Sequence, residues 1–249
     1  MITGGAGGLG FEFALLALED GYDLIIVDVN TSELNQSKIK LREACKCQNN
    51  IRTIQMDLCA YEAADDLFKK VKNEPIELLI NNAGFGLFGK FSETQWELEE
   101  RMINLHVLTL THLTKHILQK MLSCNKGKIL NVSSLAAFQP GPLMAIYYAT
   151  KAYLLSFSED LSKEVNNTEV SVTAFCPGPI QTNFQKQTSN GGQKGNLSFN
   201  MADKCTVAKY GYKALKKKKS VAVPGRLNKV LAFIPRILPR NMVSELVLQ

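Results

Sequence analysis

The sequence predicts an α/β fold: a doubly wound parallel sheet of about seven strands, with helices on both faces, in a single domain over residues 1–249. Three observations predict it. A glycine-rich turn, Gly4-Gly5-Ala6-Gly7-Gly8-Leu9-Gly10, lies between the tail of a strand and the start of a helix. A short apolar run, Asp23 to Asp28, follows and ends on an acid. From there strand-like and helix-like stretches alternate, and helices of this length between strands mean crossover units and parallel pairing.

The elements follow in order. Met1-Ile2-Thr3 is a strand tail, Phe11 to Asp20 a helix, and Gly21 its closing glycine. The continuous apolar character of residues 23–28 marks a strand buried on both faces. Thr31 to Cys45 reads as an amphipathic helix, with Leu34, Ile39 and Leu41 toward the sheet. Strands are expected at Ile51–Met56, Ile76–Asn81, Gly127–Val132 and Val170–Phe175, with helices at Tyr61–Val71, Ser92–Met121 and Tyr147–Val165. Trp96 and its neighbours read as helix packing. After Pro177-Gly178-Pro179 the periodicity fails, and Asn183 to Phe199 is polar and glycine-bearing. A connection of that length suggests a substrate lid, about residues 183–200. A helix at Asp203–Lys216, a strand at Ser220–Val223 and a C-terminal amphipathic segment, about 227–249 and broken by Pro235 and Pro239, complete the chain.

Composition narrows the functional class. At 45% hydrophobic and 21% charged, the 249 residues suit one globular domain with a substantial core. The net charge of +6, from 29 basic and 23 acidic residues, does not call for nucleic acid as a partner. Part of it is local, in Lys213 and Lys216 to Lys219, a solvated helix end. Cys45, Cys47, Cys59, Cys124, Cys176 and Cys205 show no metal spacing and read as reduced thiols. No leader opens the chain and no apolar run is long enough to span a bilayer, so a cytoplasmic protein is expected. His112 and His116 lie four apart on a helix, but the sequence offers no third ligand and no metal site is assigned.

The glycine turn has two parsings: Gly5, Gly7 and Gly10 fit G-x-G-x-x-G, and Gly4, Gly8 and Gly10 fit T-G-x-x-x-G-x-G. Either brings backbone N–H groups and a helix N-terminus close to a pyrophosphate. Asp28, 18 residues after Gly10 at the end of the next strand, stands where a carboxylate would hydrogen-bond the adenosine ribose. Its charge would repel a 2′-phosphate, and Val29 and Asn30 supply no cation, so NAD is expected over NADP.

Tyr147 and Lys151 are i and i+4, so they share a helix face. A nearby ammonium favours the phenolate, which would lower the tyrosine pKa toward working pH and let it exchange a proton. Such pairs are also ordinary helix contacts. This one gains weight from Ser134, 13 residues ahead of Tyr147, and from the glycine turn. Tyr148 is the rival phenol, but its i+4 neighbour is Ala152.

The glycine turn, Asn81-Asn82-Ala83-Gly84, Asn104, Ser134, Tyr147, Lys151 and Pro177-Gly178 stand in the order seen in the short-chain dehydrogenase/reductase family, which the chain resembles from Thr3 through at least Thr182. Asn82 to Gly86 and Phe138 to Pro142 further resemble a bacterial branch of broadly defined short-chain oxidoreductases. The resemblance implies a Rossmann-like fold and NAD(P)-dependent hydride transfer between a nicotinamide and a carbonyl or secondary alcohol. It implies Tyr147 as general acid/base, Lys151 as holder of the nicotinamide ribose, Ser134 at the substrate oxygen, and Asn104 holding a relay water. The cofactor would meet Thr3, Gly4, Gly8, Leu9, Gly10 and Asp28 at the turn, and Asp57 and Leu58 at the adenine. Asn82, Ala83 and Gly84 would line it, with Pro177, Gly178 and Thr182 toward the carboxamide. A homodimer or homotetramer built on the helices around 105–121 and 147–165 is also implied.

One departure stands out: only Met1 and Ile2 precede Thr3, where the family's first strand starts several residues earlier. The sequence therefore reads as a misassigned start or a fragment. Phe85, Leu87, Phe88, Phe138, Leu143 and Met144, with Phe184, Leu197 and Phe199 from the lid, suggest an apolar ketone or alcohol as substrate. The basic and apolar residues of the C-terminal segment suit packing on the domain or a sister subunit, with lipid contact as the lesser reading. The rival to an enzyme is a non-catalytic dinucleotide-binding regulator or scaffold, which has no chemical need for the whole set of Asn104, Ser134, Tyr147 and Lys151.

Overall fold

The computed structural model describes residues 1–45, 48–180, 201–238 and 242–243. The expected lid, with Thr182, Phe184, Leu197 and Phe199, lies outside them.

Seven strands form one parallel sheet: β1 Ile2–Thr3, β2 Leu24–Asp28, β3 Ile51–Gln55, β4 Leu78–Asn81, β5 Gly127–Val132, β6 Val170–Phe175 and β7 Val221–Ala222. Their order across the sheet is β3-β2-β1-β4-β5-β6-β7. The chain winds outward from β1 to β3, then returns to place β4 on the other side of β1. The strand ends at β1 and β4 are therefore the switch point, where ligands of open α/β sheets bind. Although only two residues long, β1 pairs on both sides, Ile2 with Ile26 and Ile80, Thr3 with Val27 and Asn81. The Met1 amino nitrogen adds a hydrogen bond of 2.6 Å to the Leu78 carbonyl.

Successive strand residues point to opposite faces, which explains the unbroken apolar runs. Ile2, Ile26, Ile80 and Leu130 meet Phe13, Leu18 and Leu215 on one face, while Val27, Leu79 and Ile129 meet Leu67, Leu113 and Ile117 on the other. The first layer is built by α1 Gly8–Glu19, α2 Thr31–Ala44 and α7 Lys204–Lys216, and the second includes α3 Ala63–Val71 and α5 Leu110–Ser123. Gly211 of α7 lies over the Phe175 ring, where a Cβ would come within 2.9 Å, so the glycine lets α7 settle against β6.

A polar seam crosses this apolar interior. Asn81 donates to the Thr114 hydroxyl and to the Asn131 side-chain oxygen, both at 2.9 Å, and Asn131 donates to Ser158 at 2.9 Å. It ties α5, β4, β5 and α6 Ala145–Glu164 together with the buried amides hydrogen-bonded.

Several expectations need correction. Ile39 is exposed, and α2 buries Leu34, Ser37 and Leu41 instead, because position 39 falls off the face shared by 34 and 41. Trp96, at the first turn of α4 Trp96–Ile103, is 55% exposed and does not pack inward. The helical stretch expected over 92–121 is made of α4, a π-helical segment Asn104–Thr109, and α5. Cys45 is disulfide-bonded, while Cys59, Cys124, Cys176 and Cys205 are free thiols. The helix α8 Arg226–Phe233 buries Ala232 and lays Asn228 against Gly178, but leaves Leu227, Val230 and Phe233 exposed.

Candidate active site

The glycine turn follows β1 directly. Gly4 and Gly8 adopt φ of +60° and +53°, a left-handed conformation natural to glycine, whereas Gly7 is extended at −152°. A Cβ on Gly10 would run into the Gly4 carbonyl. These three positions select the T-G-x-x-x-G-x-G parsing. α1 has no side-chain cap and no acid in its first turn, so its first amides and positive end face outward. A cradle that side chains would fill, over an open helix N-terminus, fits a dinucleotide pyrophosphate.

Thr3 and Asn82 stitch this turn to β4. The Thr3 hydroxyl accepts from the Asn82 and Ala83 amides at 3.0 and 3.1 Å, and the Asn82 side chain donates to the Thr3 and Gly4 carbonyls at 3.1 and 2.8 Å. A Cβ on Gly4 would lie 2.8 Å from the Ala83 Cα. Leu9 is buried beneath the turn. Asp28 accepts from the Ala6 amide at 3.2 Å and the Asn30 amide at 3.3 Å, which turns its carboxylate toward the glycines. Asp57 is held by the Cys59 amide and by Arg101, each at 2.9 Å. Burial pulls its pKa up, but these two donors outweigh it and hold the carboxyl below its ordinary value. Leu58 is buried, and its carbonyl accepts from Thr109 at 2.9 Å.

On the other side of the switch point, β5 ends at Val132 and the chain turns through Ser133 and Ser134. The Ser133 hydroxyl donates to the Lys151 carbonyl at 2.8 Å, and the Ser134 oxygen caps a short 3-10 turn, Leu135–Phe138, accepting from the Ala136 amide at 3.1 Å. Ser134 also hydrogen-bonds the Tyr147 phenol. Lys151 is buried, donates through Nζ to the Val132 carbonyl at 3.0 Å, and sits 5.7 Å from the centre of the Tyr147 ring. The structure thus brings Ser134, Tyr147 and Lys151 together. Tyr148 turns elsewhere, against Gly141 and into a hydrogen bond with Gln139. Asn104 opens the π-helical segment at the end of α4. Pro177 accepts from the Leu135 amide at 2.8 Å, and Gly178 packs against the Asn228 side chain.

The acid–base balance differs from the expectation. Burial pushes the Tyr147 phenol up to about 12, against a smaller lowering by Ser134, and burial brings the Lys151 ammonium down to about 8. Desolvation disfavours the charged form of each and is the largest cause of both shifts.

His106 is a site residue that the sequence reading passed over. It is buried, two positions after Asn104 in the π-helical segment. The Phe85 amide donates to its Nε2 at 3.3 Å, so Nδ1 carries the proton and donates to Thr150 Oγ1 at 3.0 Å. Burial, then the charge of Lys151, lowers its pKa well below the ordinary value of 6.5. A Cβ on Gly84 would lie 2.8 Å from His106 Nε2 and 3.6 Å from Lys151 Nζ, so the glycine of Asn82-Ala83-Gly84 makes room for both. A lone histidine on an apolar helix face carries no sequence signal; only that glycine hinted at a close neighbour.

Beside Tyr147 a small cleft is lined by Leu87, Phe91, Met102, Leu143 and Met144, with Glu99 at one wall. Leu87, Leu143 and Met144 are where the sequence placed them. Phe138 instead packs on a small cluster with Ala137, Leu155 and Cys176. Leu143 adopts a φ of +67°, unusual for a branched residue, and its carbonyl accepts from the Gly89 amide at 2.8 Å, joining the two loops that form the cleft.

A parallel sheet with a glycine cradle at its switch point and a serine–tyrosine–lysine cluster on the facing loops defines a dinucleotide-dependent oxidoreductase. The sequence model of the short chain dehydrogenase family matches residues 1–192, and the chain belongs to that family. It is 28% identical over 205 residues to an uncharacterized oxidoreductase of Staphylococcus epidermidis, covering 82% of this chain and 86% of that one. It is 30% identical over 196 residues to the very-long-chain 3-oxoacyl-CoA reductase of Mus musculus, covering 75% of this chain and 60% of that protein. Its fold matches a short-chain dehydrogenase from Sphingobium yanoikuyae in complex with NADPH, with a TM-score of 0.82 and 24% identity over 96% of this chain and 94% of that one. The family uses NAD or NADP to move a hydride to or from a carbonyl or alcohol carbon. No helix among the described residues is long and apolar enough to cross a membrane.

Proposed function

We propose that this oxidoreductase uses NAD and interconverts an apolar ketone and its secondary alcohol. The nicotinamide, when bound, supplies or takes up the hydride. Tyr147 gives the proton to the substrate oxygen, or takes it back, and Ser134 donates a hydrogen bond to that oxygen as charge develops. Lys151 holds the nicotinamide ribose and keeps a positive charge beside the phenol, and Asn104 holds the water through which Lys151 exchanges protons with solvent. Thr3, Gly4, Gly8, Leu9, Gly10, Asn82, Ala83, Gly84, Asp57, Leu58, Pro177, Gly178 and Thr182 hold the rest of the cofactor.

The observation that carries the reading is Asp28. Its carboxylate is fixed toward the glycine turn by the Ala6 amide, and Glu33 adds a second carboxylate near Gly7. Two negative charges there favour a free ribose 2′-hydroxyl over a 2′-phosphate. The apolar side chains of Leu87, Phe91, Leu143 and Met144 beside Tyr147 support the substrate class, as does the acyl-CoA named for the mouse relative. Exposed Leu108 and Tyr153 on the helices around 105–121 and 147–165 support a homodimer or homotetramer. The exposed face of α8 suits a sister subunit better than lipid.

Calorimetric titration of the purified protein with NADH and NADPH, followed by turnover on medium-chain ketones and on polar sugars, tests this. Tighter NADH binding and faster ketone turnover are expected. NADPH preference would overturn the cofactor reading, faster sugar turnover the substrate reading, and cofactor binding without turnover on any substrate would favour a regulator or scaffold.

A further inference from the structure

We propose that Asp65, His112 and His116 form a binding site for a zinc-class divalent cation that braces α3 to α5. The histidine pair was visible in the sequence, and the fold supplies the third ligand that the sequence lacked. Asp65 comes from the neighbouring helix, and the three ligand atoms lie within 4.8 Å of one another.

The convergence is specific. Both imidazoles aim Nε2 at one oxygen, Asp65 Oδ1, His116 at 2.9 Å and His112 at 3.6 Å. Ligand atoms held tetrahedrally at about 2.0–2.1 Å from zinc stand about 3.4 Å apart, between those two values. Both histidine–aspartate separations are thus near those of a tetrahedral site, and the three ligand atoms lie within 4.8 Å of one another, so a cation can be seated by side-chain adjustment alone. The cation would take the place of the hydrogen bond between His116 and Asp65, binding His116 through Nε2 as the tautomer with its proton on Nδ1.

The ligands are also held in place. Phe68 of α3 stacks on His116 with ring centres 4.3 Å apart and 4° between planes, and His112 stacks on His116 with ring centres 4.4 Å apart and 30° between planes. Packing of this kind fixes ring orientation around a metal. Lys69, the nearest cation on α3, is committed to Asp66 at 3.0 Å, so Asp65 remains the carboxylate facing the imidazoles. Two imidazole nitrogens and one carboxylate oxygen suit zinc and its neighbours, copper and nickel, and not magnesium or calcium. With His112 exposed, the site is open to water as a fourth ligand.

The test is calorimetric titration of the full-length, chelator-stripped protein with zinc chloride, beside His112→Ala and Asp65→Asn. His112 is exposed and Asp65→Asn is isosteric, so both variants are expected to fold. One zinc per chain is expected in the unaltered protein, with both variants at least about tenfold weaker. Cobalt should give the intense visible absorption of a tetrahedral site only in the unaltered protein, and zinc should raise its melting temperature and not that of His112→Ala. No zinc uptake in excess metal, or equal uptake by the variants, overturns the proposal.

Discussion

His106 and Thr150 meet through a single hydrogen bond of 3.0 Å, and that bond joins the π-helical segment to the helix that carries Tyr147 and Lys151. The chain of donors runs one way: the Phe85 amide to His106, His106 to Thr150, and Thr150 to the Tyr147 carbonyl at 2.9 Å. Protonation at Nε2 would set two donors against each other, so the imidazole works only when neutral. His106→Phe keeps the ring volume and removes both bonds. It should leave the protein folded and lower turnover by about tenfold, measured by cofactor oxidation, since the Phe85 amide and Thr150 lose their shared partner.

The same histidine makes stability depend on pH. Its pKa is lowered in the fold, so below about 6.5 the unfolded chain takes up a proton that the folded one refuses. Stability is present above that pH and falls on acidification, with a slope of up to about 1.4 kcal/mol per pH unit from this group. Denaturant unfolding between pH 7 and 5 should show a smaller loss in His106→Phe than in the unaltered protein. Equal losses would mean that other groups set the dependence.

Lys151 is held in place at a cost. Its pKa falls from 10.5 to about 8, so at neutral pH the fold carries a buried charge it disfavours, and stability rises between about 8 and 10.5 as the unfolded chain retains the proton longer. Lys151→Met should abolish turnover and stabilise the protein at pH 7 by about 1–3 kcal/mol. A lowered unfolding midpoint in denaturant would contradict this. In the carbonyl-reducing direction, the pH–rate profile of the unaltered protein should be flat below about 8 and fall above it as Lys151 loses its charge.

The seam through Asn81 and Asn131 is expected to hold the two halves of the site in register. Asn131→Leu leaves one Asn81 donor without an acceptor in the core, and a loss of about 2–4 kcal/mol is expected in chemical unfolding. A change below 0.5 kcal/mol, a threshold of order the effect of a neutral surface substitution (~0.5), would show that the seam is dispensable.

Much of this was legible in the sequence because the signals are local. Continuous apolar strands, the spacing of Tyr147 and Lys151, and a glycine turn ending in Gly10 each follow from chain geometry within a few residues. What was hidden depends on tertiary placement. His106 acquires its role only when Gly84 leaves room for it, and Asp65 joins His112 and His116 only when α3 packs on α5. The π-helical segment interrupts a helix whose periodicity continues on either side, so nothing in the pattern marks it. The pKa of Tyr147 was misjudged for a related reason: the i+4 lysine is visible in sequence, and the burial that raises the phenol is not.

The most direct test of the proposed chemistry compares the unaltered protein with Tyr147→Phe for NADH binding and for NADH oxidation with an apolar ketone. The account predicts nearly equal NADH affinity and a loss of turnover of at least about 100-fold in the variant. Turnover by Tyr147→Phe close to that of the unaltered protein would contradict the assignment of Tyr147 as the proton donor.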